Sequence, residues 1–296
     1  GQFSLDGPAQ HAAESRIGCP AYGLSTSATQ FRGRTVLVTG GGRGIGRATA
    51  LGFAQLGADV ALAARDADNL AKTHGDIEAL GVRWISQVCD IRNTESVESL
   101  RDMVMGSFTK LDFLINNAGG QFPARPSEIS DRGFRAVVDL NLHGTWNMLS
   151  RFVPDLIAAG DGSIVNVVHN QVGDRGAPLF LHSGAARAGV VNMTKTTALY
   201  LAHRGVTVNA LAPGPVDTQG FREEEVANIS PDVAEYTKRI IRDTPIQRLQ
   251  SPEETAAHIL FLCSPAARSL TGQLLIADAG NAMGNQNAVY SPDMQW

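Results

Sequence analysis

The stretch Thr35-Val36-Leu37-Val38-Thr39-Gly40-Gly41-Gly42-Arg43-Gly44-Ile45-Gly46 decides the fold. Its first five residues form a short β-branched run ended by glycines, and from Ile45 onward apolar residues recur at helical spacing up to Gly57. The segment reads as strand, tight turn, helix. Gly40, Gly42, Gly44 and Gly46 permit positive φ and close approach of the backbone, and a helix starting there offers unpaired amide donors and the positive end of its dipole. A loop so built can cradle the pyrophosphate of a dinucleotide.

Outward from this turn the alternation continues. Strands are expected at 59–64, 82–89, 111–115, 163–168, 206–210 and 273–277, and helices at 67–80, 94–108, 134–159, 185–202 and 253–263, with a polar segment at 221–243. Strands alternating with helices indicate βαβ units, and right-handed crossovers then give a parallel sheet covered on both faces. The expected fold class is α/β, a doubly wound Rossmann-type single domain. It spans 31–283, with an extension at 1–30 and a tail at 284–296.

Composition narrows the function classes. Of 296 residues, 43% are apolar and 18% charged, against roughly 25% charged in typical soluble domains, which points to much buried surface and to subunit contacts. A formal charge of −4 leaves no basic excess for a phosphate backbone, so no nucleic-acid partner is expected. Cys19, Cys89 and Cys263 are few, odd in number and widely spaced, matching neither a disulfide framework nor a metal site. No run approaches the roughly 18 consecutive apolar residues of a membrane span, and the first thirty residues lack a signal-peptide pattern. The chain ends in Asp293-Met294-Gln295-Trp296, unlike a peroxisomal address. A soluble, cytoplasmic protein without membrane partners is expected.

The spacing Gly40, Gly44, Gly46, with Asn116-Asn117-Ala118-Gly119 ending the fourth strand, resembles the short-chain dehydrogenase/reductase family. Asp139-Leu140-Asn141-Leu142 and Val208-Asn209-Ala210-Leu211-Ala212-Pro213-Gly214 resemble two further family blocks, and the likeness covers about residues 33–283. The resemblance implies cofactor contacts at Gly40, Gly42, Arg43, Gly44, Ile45, Gly46, Asp90, Ile91, Asn117, Ala118, Gly119, Pro213, Gly214 and Val216. Asp90 is also readable as a solvated turn residue, and Asn141 as a satisfied structural amide.

Charge indicates which dinucleotide. The second strand ends Ala63-Ala64, without the acid that would bind a ribose 2′-hydroxyl, and Arg65 follows. Arg43 and Arg65 together favour a 2′-phosphate, each charge-assisted bond being worth roughly 1.5–3 kcal/mol. NADP is the expected cofactor; the competing reading leaves both arginines on the surface and gives the ribose to Asp66.

At the active site the sequence departs from its family, whose members usually carry a Ser after the fifth strand and a Tyr-x-x-x-Lys pair in the next helix. Counting back from Asn192-Met193-Thr194-Lys195 puts Ser183 at the Tyr position and Arg187 at the Lys position, while the Ser falls near His169. Lys195 lies eight residues, about 12 Å, farther along the helix and does not replace the missing Lys. Reduction of a ketone makes a localised alkoxide that gains about 10²–10⁴ in rate from a positioned acid, and Ser183 is a poor acid. Hydride addition to a double bond conjugated with a thioester makes a delocalised enolate, which tolerates the loss. His182-Ser183-Gly184-Ala185-Ala186-Arg187-Ala188-Gly189-Val190 and Asn116–Phe122 resemble the peroxisomal-type trans-2-enoyl-CoA reductases within the family. That resemblance implies an NADPH-dependent reductase of an enoyl thioester, with Asn141, His169, Ser183 and Arg187 as candidate catalytic residues and His169 as the titrating group. Two alternatives stand beside it: a carbonyl reductase with a displaced acid, and a degenerate member that binds NADP without net redox. The segment 221–243 is expected to wall the substrate; Arg222, Lys238, Arg239 and Arg242 are readable as contacts for coenzyme A phosphates, but with Glu223, Glu224 and Glu225 among them a solvated amphipathic helix face is the expected reading. A homodimer or homotetramer is implied by the family's pairing of the helices holding Asn141 and Arg187.

Overall fold

The computed structural model describes residues 29–172, 176, 178–230 and 232–283; the expected extension and tail lie almost wholly outside these. Seven parallel strands form one sheet in the order β3-β2-β1-β4-β5-β6-β7. They are β1 (Thr35–Thr39), β2 (Asp59–Ala64), β3 (Trp84–Val88), β4 (Phe113–Asn116), β5 (Ser163–Val167), β6 (Thr207–Pro213) and β7 (Leu274–Ala277). β1, β4 and β6 are buried along their whole length, as their continuous apolar runs require in a sheet covered on both sides. This is the expected single-domain α/β Rossmann-type architecture.

Helices α1 (Gly44–Gln55), α2 (Ala67–Glu78) and α9 (Pro252–Cys263) close one face through Phe53, Leu70, Ile259 and Leu262. The other face is closed by α3 (Thr94–Ser107), α5 (Gly144–Ala159) and α6 (Leu181–Leu201) through Val97, Leu100, Phe152 and Leu201. Phe31, Phe53 and Phe113 meet with ring centroids 5.0–5.4 Å apart, so the chain just before β1 is stitched under α1. Beneath the sheet Asp112 is buried, yet its carboxylate accepts from the Thr35 amide at 2.8 Å and from Lys110 Nζ at 2.9 Å, which offsets its desolvation.

Three boundaries differ from expectation. The helical region at 134–159 is two helices, α4 (Asp131–Val138) and α5, joined by a π-helical turn at Asp139–His143. Helix α6 begins at Leu181, a turn earlier than 185. The polar segment 221–243 resolves into a π-helical turn (Phe221–Val226), the short α7 (Ala227–Ile229) and α8 (Val233–Asp243). Strand order reverses between β1 and β4, and the loops leaving their carboxyl ends open a crevice there, where ligands bind in doubly wound sheets.

Candidate active site

Two cavities occupy that crevice. The first, about 460 Å³, runs from the β2 end past the glycine loop and is lined by Gly40, Gly42, Arg43, Arg65, Asp90 and Asn117 among others. The second, about 340 Å³, lies between the β5 and β6 ends and the 221–243 segment, with His169, Pro213, Gly214, Val216, Tyr236 and Ile240 in its wall. They meet at Ile45, Asn117, Gly119, Gln121, Arg187, Thr218, Phe221 and Glu225.

The first cavity fits a dinucleotide on three observations. Gly40 has φ +65°, and a Cβ on Gly46 would lie 2.2 Å from the Gly40 carbonyl oxygen, so helix and loop touch only because both are glycine. No side chain caps α1, whereas Asp66, Asn93 and Ser130 cap the next three helices, so the first amides of α1 are left for a ligand. Asn117 Nδ2 donates to the Thr39 carbonyl at 3.0 Å, and Thr39 Oγ1 accepts from the Ala118 amide at 3.0 Å, tying the β4 end to the glycine loop.

At its far end the cavity carries both signs of charge. Arg65 is exposed there. Asp66 spends one carboxylate oxygen on the Asn69 amide at 2.8 Å. Asp90 is gripped by Arg92, with Nη2 2.5 Å from Oδ2, and this pairing holds its carboxyl below the usual range. Arg43 Nη2 lies 2.5 Å from Glu224 Oε1, linking the glycine loop to the segment above it.

Of the four candidate catalytic residues, the structure places Arg187 at the junction and His169 in the second cavity, while Asn141 and Ser183 are buried behind the walls. Asn141 sits in the π-turn and commits its amide to backbone: Nδ2 donates to the Gly120 and Val137 carbonyls at 2.8 Å each, and Oδ1 accepts from the Gly120 amide at 3.3 Å. Ser183 Oγ donates to Gln121 Oε1 at 2.7 Å. Arg187 Nε reaches Ser183 Oγ at 3.3 Å, and its Nη1 donates to the Val167 carbonyl at 3.1 Å. Burial lowers its pKa to about 10, which still leaves a guanidinium at neutral pH.

His169 is corrected as a group titrating near neutrality. Burial first, then the charge of Arg187, push its pKa down to about 3, and Nδ1 accepts the Gln171 amide at 3.0 Å, so the ring is neutral with its proton on Nε2. Glu225 is corrected as well. The sequence pattern sets it beside Glu223 and Glu224 on a solvated face, but the π-helical turn carries it into the junction, half-buried and beside Gln121 in the walls of both cavities. Gln121, whose role no sequence motif indicates, accepts from Ser183 Oγ and lines the junction with Glu225.

A glycine-loop crevice of this kind defines a dinucleotide-binding protein of the doubly wound class. The family profile described as Enoyl-(Acyl carrier protein) reductase matches residues 40–282. A 3-oxoacyl-(acyl-carrier-protein) reductase of Thermotoga maritima is 35% identical over 251 residues, covering 85% of this chain and 98% of that one. A peroxisomal 2,4-dienoyl-CoA reductase of Pongo abelii is 31% identical, with 88% of each chain covered. Among solved structures, L-sorbose reductase of Gluconobacter frateurii complexed with NADPH and L-sorbose superposes with a TM-score of 0.80 at 27% identity, covering 86% of this chain and 98% of that one. The chain belongs to the short-chain dehydrogenase/reductase family. Its relatives are oxidoreductases. Among the described residues no helix is long and apolar enough to cross a membrane, and no cluster of metal-ligating side chains occurs.

Proposed function

We propose that the protein reduces the carbon–carbon double bond of an α,β-unsaturated acyl thioester with NADPH. The observation that carries this reading is the Arg187–Ser183 pair: a fixed cation stands at the junction, while the hydroxyl that could act from α6 has its proton committed to Gln121. Such a pair stabilises negative charge without delivering a proton, which suits an enolate and not an alkoxide.

When bound, NADPH supplies the hydride that adds to the β carbon. The chain's own residues do the rest. Gly40–Gly46 and the bare start of α1 hold the pyrophosphate, and Arg43 and Arg65 meet the 2′-phosphate, in keeping with the absence of an acid at Ala64. Asn141 fixes the Gly119–Gly120 corner against Arg187, since a Cβ on Gly119 would lie 2.7 Å from Asn141 Oδ1 and 2.8 Å from Arg187 Nη2. Arg187 faces the thioester oxygen, His169 stands in the same wall as a neutral ring, and the apolar side chains Val226, Ile229 and Ile240 receive the acyl chain. The peroxisomal dienoyl-CoA reductase likeness supports this substrate class.

The 3-oxoacyl reductase likeness favours a second reading, carbonyl reduction with an acid placed outside α6. Comparing turnover of an enoyl thioester with that of the 3-oxoacyl thioester of equal length decides between them. The proposed domain is 31–283. The proposed assembly is a homodimer or homotetramer through α5 and α6, where Trp146, Leu199 and Tyr200 are 55%, 80% and 71% exposed. Light scattering at micromolar concentration is expected to return two or four chain masses, and a single chain mass would contradict it.

A further inference from the structure

We infer that Glu225 is the proton donor of the reaction, delivered to the junction of the two cavities from the segment above the site. The inference rests on the thioester reading and adds the source of the proton, which that reading leaves open.

The argument begins by elimination. Among the described residues, the polar side chains at the junction are Asn117, Gln121, Arg187, Thr218 and Glu225. Carboxamides do not release a proton, a threonine hydroxyl is too weak an acid, and a guanidinium with pKa about 10 keeps its charge at neutral pH. Glu225 alone can be an acid near physiological pH. Tyr236 lines the second cavity but not the junction.

Connectivity supplies the second argument. Arg187 Nε donates to Ser183 Oγ, Ser183 Oγ donates to Gln121 Oε1 at 2.7 Å, and this orientation leaves the Gln121 NH₂ free to face Glu225, which lines the same junction. The bonded run holds the cation and Gln121 in place at the junction, and Glu225 stands beside them as a separate group. Charge stabilisation and proton delivery are thereby assigned to two different groups, as an enoyl thioester needs them: the cation at the carbonyl oxygen, the proton at the α carbon. A ketone would need both at one oxygen.

The environment agrees. Burial raises the Glu225 pKa and the neighbouring Glu224 adds to this, against the hydrogen bond from Gln121 and the charge of Arg187, so the acid form persists above the ordinary glutamate range. The remaining ionisable groups facing it are few. Glu224 is held by Arg43 of the glycine loop, Arg222 is paired to Asp217 on the same segment, and His169 across the second cavity is neutral. As the β C–H bond forms, the π pair moves toward the thioester oxygen. It returns to the α carbon as that carbon takes the proton from the Glu225 carboxyl, and solvent reprotonates the carboxylate.

The test is Glu225→Gln, which keeps size and an acceptor for Gln121 but holds no acidic proton, with the exposed Glu223→Gln as control. The expected result is a fall in kcat of about 10²-fold or more, unchanged NADPH affinity, and loss of the limb along which wild-type kcat declines as pH rises. In the protein without cofactor, carboxyl ¹³C NMR of glutamate-labelled chain is expected to show one resonance titrating above the ordinary 4.5, absent in Glu225→Gln. Retention of the limb in Glu225→Gln, or a Glu225 carboxyl titrating at or below 4.5, overturns the inference. If only the 3-oxoacyl thioester is turned over, the thioester-alkene reading fails, and Glu225 then stands or falls by the same limb measured on that substrate.

Discussion

Replacing Arg187 by lysine keeps the charge and removes the geometry. The guanidinium reaches Ser183 Oγ through Nε and the Val167 carbonyl through Nη1, at 3.3 and 3.1 Å, while Nη2 points along Gly119. A single ammonium nitrogen replaces one of these contacts and leaves a buried partner without its charged donor, a loss of about 1.5–3 kcal/mol. Expressed only in the transition state, that is roughly a 10- to 150-fold fall in kcat/KM. Burial adds a second signature. The site lowers the arginine to about 10, and a lysine, ordinarily near 10.4, would be carried to a lower value by the same desolvation. The variant should lose further activity as pH rises through that value, while the wild-type guanidinium stays charged. Steady-state kinetics between about pH 6 and 9 on both proteins read the two effects together. A lysine variant within twofold of wild type at neutral pH, with the same profile, refutes the reasoning.

Arg65→Ala should weaken NADPH binding about tenfold or more while leaving NADH nearly unchanged, because only the 2′-phosphate meets that exposed guanidinium; calorimetry with both nucleotides checks it. His169→Gln should leave the pH–rate profile around neutrality intact, since the ring with pKa about 3 holds no extra proton there. Stability moves instead. With the folded pKa depressed, the unfolded chain takes up the histidine proton first, so stability conferred by His169 is full above about pH 6.5 and is lost as pH falls toward 3. The acid limb of Tm against pH should therefore be shallower in His169→Gln.

How much of this was legible in the sequence depended on the kind of signal. The strand–glycine–helix stretch at 35–56 and the parallel alternation were readable because the central strands β1, β4 and β6 are buried along their whole length and show as largely apolar runs. The π-turn at 139–143 was not, because a one-residue slip of the hydrogen-bond ladder leaves apolar spacing almost untouched. Glu225 was hidden for a related reason: three consecutive glutamates carry no periodicity, and only the π-helical turn at 221–226 decides that the third faces the cavities. His169 was readable as a position and not as an acid, since its pKa follows from burial and from Arg187, eighteen residues on in the chain but beside it in space. Gln121 had a motif around it, yet its role appears only once Ser183 and Glu225 are seen on either side.

The central claim is that this site reduces an alkene and not a ketone, and the most direct measurement is NADPH consumption by the purified protein with a trans-2-enoyl-CoA and with the 3-oxoacyl-CoA of the same chain length. A fixed cation for the carbonyl oxygen, with the carboxyl as a separate group, predicts a kcat/KM for the enoyl thioester at least tenfold above that for the 3-oxoacyl thioester, a gap of about 1.4 kcal/mol in transition-state binding. Equal or faster turnover of the 3-oxoacyl thioester, or no consumption with either, would contradict it.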